Sequence, residues 1–316
     1  MSRQLASSSA VAGAAPSSPA GSIYDLGYRH YEGPRRGRVF AAWSLYVESL
    51  RSVWGFGRPT TAKIAPFLLA GLYALPAVIQ LAFSSVLTQQ AQRTGEPLRL
   101  LEYWSYFASF SFVIVLFLVA QAPELVCRDQ RYQVLPLYFT RAMGRVDYAL
   151  ARLAALITAL FIALLLPVVA LFIGDVLMKP DTFTAISDEL PMALPAIPAD
   201  ALIALSLGSI SLALSSFTPR RAYAAIGILA YTLLMEAIPF AIYAIGQNAN
   251  WAWADKVVLA TPTSSLGAAS AWFFGHALDA EIYPTTIGSG AYVAAAAVSC
   301  LVFVGVLLLR YRRVSA

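Results

Sequence analysis

Six runs of apolar residues punctuate the chain at 64–87, 101–123, 149–177, 198–217, 222–246 and 287–309. Each approaches or exceeds the roughly 20 residues that a helix needs to cross the hydrocarbon core of a bilayer. The pattern predicts an all-α integral membrane protein with six transmembrane helices. The third run is overlong, and either a kink at Pro167 or a tilt would accommodate it. A different pattern precedes the first run. In VFAAWSLYVESLRSVW (39–54), Val39, Trp43, Tyr46, Val47, Leu50, Val53 and Trp54 recur at helical spacing, with Ser44, Glu48 and Arg51 opposite. This amphipathic helix is too short to span. It fits the membrane interface with its tryptophans at headgroup level, or a helix packed on the bundle. Between the second and third runs lies the polar stretch 124–148, whose centre, VLPLYFTRAM, holds Leu135, Leu137, Tyr138, Phe139 and Met143. That centre reads as a short helix with apolar side chains turned outward, seated on lipid or docked on a partner. The resulting divisions are a disordered tail at 1–22, a polar segment with the amphipathic helix at 23–63, and a membrane domain at 64–316.

Composition agrees with the pattern. The chain is 59% hydrophobic and 12% charged, with a mean hydropathy of +0.67, which excludes an ordinary soluble domain. Charge placement then orients it. Eighteen of the 22 Lys and Arg fall in the N-terminal region, the 124–152 stretch, the Arg220-Arg221 turn and the C-terminal tail. The other face keeps Arg93, Arg99, Lys179 and Lys256. The positive-inside rule therefore places both termini in the cytoplasm of a multi-pass protein of the cell inner (plasma) membrane. The net charge of +5 is accounted for by this flanking pattern, so no nucleic-acid partner is implied. Cys127 and Cys300 fall in the polar stretch and in a span, which does not make a disulfide framework.

Several chemistries have no residues to carry them. No G-x-x-x-x-G-K-[ST] and no H-E-x-x-H occurs, and the two histidines, His30 and His276, belong to opposite faces. The expectation is a non-enzymatic chain with no metal site and no cofactor of its own. Glu236, in ILAYTLLMEAIPFAIYAI, is a charge placed deep in a span, where insertion costs about 2.5–3.5 kcal/mol. It reads either as part of a substrate or proton pathway together with Tyr231, or as a hydrogen-bonded helix tie to Tyr231, Ser209, Ser211 or a partner helix.

The most specific spacing is E-x3-R-x2-R-x4-P-L-x3-R-x3-R-x2-Y, formed by Glu124, Arg128, Arg131, Pro136, Leu137, Arg141, Arg145 and Tyr148. Together with the amphipathic helix, the six spans and the N-terminal YDLGYRHYEGPRRGR, it resembles the permease subunit of type 2 ABC exporters, at the level of architecture over most of the chain. The resemblance implies an elbow helix before the first span and a cytoplasmic coupling helix at 132–145 between spans two and three. It makes Glu124, Arg128, Arg131, Leu135, Leu137, Tyr138, Phe139 and Arg141 the coupling residues, with Glu124, Arg128 and Arg131 as a charged hinge. It implies ATP and Mg bound by a separate ABC ATP-binding subunit present in two copies, a second permease copy or paralogue, and surrounding membrane lipid. The implied activity is export of an amphiphile (drug, lipid or glycolipid). In the family the segment before the last span often re-enters the membrane. Here 251–276, broken by Pro262 and Gly267, fits a re-entrant hairpin or an interfacial helix. The alternative function is a standalone proton-coupled carrier or an integral-membrane enzyme built on Glu236.

Overall fold

The computed structural model describes residues 33, 37–94, 101–139, 143–179, 181–278, 282–284 and 286–313. The expected tail at 1–22, nearly all of the polar segment before Gly37, and Arg141 lie outside the described residues. Within the unit Gly37–Ala316 every described regular element is helical. They are α1 (Arg38–Val53), α2 (Thr61–Thr94), α3 (Tyr103–Arg131), α4 (Leu135–Phe139), α5 (Arg145–Met178), α6 (Thr182–Ala193), α7 (Ala196–Ser215), α8 (Arg221–Ala249), α9 (Ala254–Val257), a short 3-10 turn (Val258–Ala260), α10 (Ser264–Phe273) and α11 (Ser289–Arg312).

Six stretches are long and apolar enough to cross a membrane: Thr61–Phe83, Tyr103–Arg131, Arg145–Leu177, Thr182–Ser215, Arg221–Ala249 and Ser289–Arg312. Their boundaries differ from those read off hydropathy. The second span's helix, α3, runs on through Glu124 to Arg131, and α5 begins at Arg145, so nearly half of the polar stretch belongs to the ends of these two helices. Helical hydrogen bonding does not require apolar side chains; the change in polarity marks a change of surroundings, not the end of a helix. The fourth stretch starts at Thr182, because α6 leads into α7 through a turn at Leu194-Pro195.

α3, α5 and α7 form the centre. Ile114, Phe117, Leu118 and Leu125 of α3 pack with Leu156, Leu160 and Leu164 of α5 and with Ile203, Leu207 and Leu212 of α7. Small residues let α7 approach closely: a Cβ on Gly208 would sit 3.1 Å from Ile157. The α7 serines fold their hydroxyls back on backbone carbonyls, as Ser209 does on Ser206, while Ser206 Oγ donates across to Ala296 of α11 at 3.2 Å. By contrast α2, α8 and α11 are only sparsely buried along their apolar lengths, leaving surface that lipid or a second chain would cover.

α1 lies against α5 and α3. Its buried stripe is Leu45, Ser49 and Val53, with Tyr46, Leu50 and Trp54 packed at its edge. Val39 and Trp43, grouped with that stripe by periodicity, are 83% and 60% exposed. The apolar side of α1 is thus split between the bundle and the outside. The turn into α2 depends on Gly55, at φ +73°, where a Cβ would lie 2.8 Å from the Ala62 carbonyl oxygen.

Candidate functional site

The arginine-rich end of the bundle gathers the ends of α3, α7 and α11, the starts of α2, α5 and α8, and α1. α3 stops in a Schellman-type turn: Gln133 adopts φ 53° and Val134 N–H donates to Asp129 O at 3.2 Å. That reversal launches α4. Leu135 is buried, and Tyr138 and Phe139 pack on Tyr148 of α5, tilted and edge-on, with ring centroids 5.4 and 6.1 Å away. Arg145 stands over the Phe139 ring at 5.7 Å. Leu137, on the opposite side of this single turn, is 65% exposed, and the preceding Tyr132 is 66% exposed. Among the described residues of the expected coupling segment 132–145, those before Arg145 are helical at Leu135–Phe139.

Tyr148 connects α4 to a buried polar junction. Its hydroxyl donates to Asp129 at 2.6 Å, Arg152 Nη2 donates to the same carboxylate at 2.5 Å, and Arg152 Nη1 donates to Ser49 of α1 at 2.9 Å. The Arg152 guanidinium also lies 5.3 Å from the Tyr148 ring centre, while its Nε is buried without a partner. Tyr148 packs on Tyr311 of α11 at 5.3 Å. α1 is tied again where Arg38 pairs with Asp147, which caps α5 by accepting from Gly144 N–H at 2.9 Å.

Glu124 sits elsewhere than the spacing suggested. It is paired with Arg58, before α2, at 2.9 Å and with Arg221, the first residue of α8. Arg128 and Arg131, expected to share a hinge with it, lie one and two turns nearer the end of α3 and are exposed. The reason is depth: Glu124 is 12% exposed and meets the two arginines that close over the same face of α3. Burial, then the nearby guanidiniums of Arg128 and Arg152, hold the pKa of Arg58 below its ordinary value. Arg58, Arg221, Arg152 and Asp129 are the residues that sequence reading did not single out for the site. Arg58, Arg152 and Arg221 counted only as topology signals, since their partners are remote in the chain.

The second region is a hairpin at the opposite end. α8 ends at Asn250, which takes φ 55°, and Trp251 N–H closes on Gly246 O at 2.9 Å. The chain turns back through α9 and the 3-10 turn, reverses at Pro262, and returns as α10. Glu236 marks how far it travels. Oε2 accepts from Thr263 N–H (3.1 Å) and Thr263 Oγ1 (2.7 Å), and Oε1 accepts from Ser264 N–H (3.1 Å) and from the Ser264 hydroxyl. The carboxylate caps α10, with four acceptor contacts of the kind an ionised group offers. Glu236 stands about 20 Å from either end of α8 at 1.5 Å per residue, so the hairpin reaches the middle of that helix, as a re-entrant segment would. Its partners are Thr263 and Ser264, neither of them among those considered from sequence. Tyr231 instead stacks edge-on against Phe303 at 5.6 Å and, with Met235, Lys256, Thr261, Ser265 and Ser299, lines a cavity of about 360 Å³. Glu236 is not among the residues lining it.

Glu236 is only partly buried, and other ionisable groups within the helices are more so. Asp200, at the start of the fourth apolar run, is buried in α7 with Oδ2 lacking a hydrogen-bond partner, and Arg152 is buried in α5. Among the described residues no group of three or more His, Cys, Asp or Glu side chains is placed to hold a metal ion. No protein-family model and no curated protein matches the chain.

Proposed function

We propose that this chain is the membrane subunit of an ATP-driven exporter of the type 2 ABC kind, moving an amphiphile with energy from a separate ATP-binding protein. The supporting observation is α4. It is a five-residue helix between the second and third candidate spans, with Tyr138 anchored on Tyr148 and Leu137 exposed, and it follows the exposed Arg128, Arg131 and Tyr132 in the chain. An exposed apolar side chain on a rigid base suits insertion into a partner's cleft.

In this reading α1 is the elbow helix, with Trp43 and Val39 at the cytoplasmic interface. Two ATP-binding subunits act on two permease copies, identical or paralogous. Nucleotide-driven closure displaces α4, and the movement passes through Tyr148 to the Arg152–Asp129–Ser49 junction, which ties α5 to α3 and α1. ATP and Mg are held by the partner, and this chain performs no catalysis. Glu236 positions α10 against α8 and shapes the outer half of the pathway, with the Tyr231 cavity beside it. Four donors on one carboxylate favour that positioning role over a free proton carrier.

The test is Leu137→Asp. The variant is expected to insert and fold as wild type, because the side chain is largely exposed, and to lose co-purification with the ATP-binding subunit that wild type retains. Undiminished co-purification would overturn the assignment of α4.

A further inference from the structure

We propose that the groove between α2 and α8, floored by α3, binds the headgroup of an anionic phospholipid at its arginine-rich end, with Glu124 as the resident anion that the headgroup displaces. α2 and α8 each pack on α3, and the space between them is a cavity of about 650 Å³. Its charged residues are Arg58, Glu124 and Arg221; apart from Thr61 and Gln121, the other lining residues are small and apolar, including Ala62, Ala65, Ala120 and Ala225. A free phosphate would leave most of that volume empty. A phosphodiester with the first carbons of its chains matches both the charged rim and the apolar walls. Along α3, Ser109, Phe112, Leu116 and Ala120 follow at helical spacing and are incompletely buried, so the apolar face continues beyond the rim.

The donor count favours an added anion. Two guanidiniums carry ten N–H groups. Three of their contacts are accounted for: Arg58 to Glu124 and to Ser52, and Arg221 to Glu124. One carboxylate between two arginines leaves a net positive charge, and Arg221 is 60% exposed. The starts of α2 and α8 both face this rim, adding the positive ends of two long helices. Guanidiniums pair with phosphate oxygens in the fork geometry they use for carboxylates. A phosphodiester therefore offers these two arginines the same kind of acceptor that the Glu124 carboxylate now supplies.

The test uses the full chain purified without any ATP-binding protein, so that it stands apart from the exporter assignment. Native mass spectrometry would score adducts of phosphatidylglycerol and of phosphatidylcholine with identical chains. Wild type should retain phosphatidylglycerol preferentially. The Arg58→Gln/Arg221→Gln variant should lower that retention about tenfold or more, given two lost headgroup contacts. Glu124→Gln should raise it several-fold by removing the competing carboxylate, a gain that misfolding cannot produce. Equal retention of phosphatidylcholine, no gain in Glu124→Gln, or displacement of phosphatidylglycerol by millimolar inorganic phosphate would each overturn the site as a lipid site.

Discussion

Glu236 illustrates how one side chain in mid-helix can fix a whole segment. Its four acceptor contacts hold the start of α10. Replacing it with Ala would leave two backbone N–H groups and two hydroxyls without their acceptor. Glu236→Ala is expected to destabilise by roughly 2–4 kcal/mol and Glu236→Gln by about half of that, since the amide keeps one acceptor oxygen. Thermal melts in detergent micelles check the order. At the arginine-rich end, Arg152→Met strands Asp129 beside the Tyr148 hydroxyl, and the loss should be about 3–5 kcal/mol, the range for breaking one half of a buried pair. Pairing it with Asp129→Asn should recover a good part of that loss in a double-mutant cycle. That Glu236 was special could be read in the sequence, because a carboxylate in a long apolar run stands out. Its partners could not, because Thr263 and Ser264 come near it only once Pro262 reverses the hairpin.

Among the elements, existence was easier to read than extent. Apolar periodicity pointed to the six long helices and the amphipathic α1, but α3 and α5 continue past their apolar windows through Glu124–Arg131 and Arg145–Tyr148. The short α4 was visible as Leu and aromatic residues in a stretch too short to span. Its orientation was not, because whether Leu135 or Leu137 faces inward depends on the reversal at Gln133. Contact between elements also makes predictions. A Cβ on Gly246 would lie 2.2 Å from the Ala254 Cβ. Gly246→Ala, which favours a free helix by up to about 1 kcal/mol, should here destabilise by roughly 1–3 kcal/mol because α9 must move off α8. A lower melting temperature with unchanged helix content by circular dichroism is the expected signature.

For the whole molecule, the six apolar helices and the concentration of arginine at one end of the bundle could be read directly from hydropathy and charge. The tight centre of α3, α5 and α7 could not, since all six spans look alike in composition and only packing distinguishes inner from outer. The sparsely buried faces of α2, α8 and α11 are free to meet lipid or another chain, while α4 offers a separate surface at one end. The account turns on what touches α4. A photo-crosslinking amino acid placed at position 137, activated in native membranes, tests this most directly. The account predicts a crosslink to a protein that carries a phosphate-binding loop and hydrolyses ATP, absent when the probe sits at buried position 135. Crosslinks from position 137 to lipid or to this chain alone would contradict it.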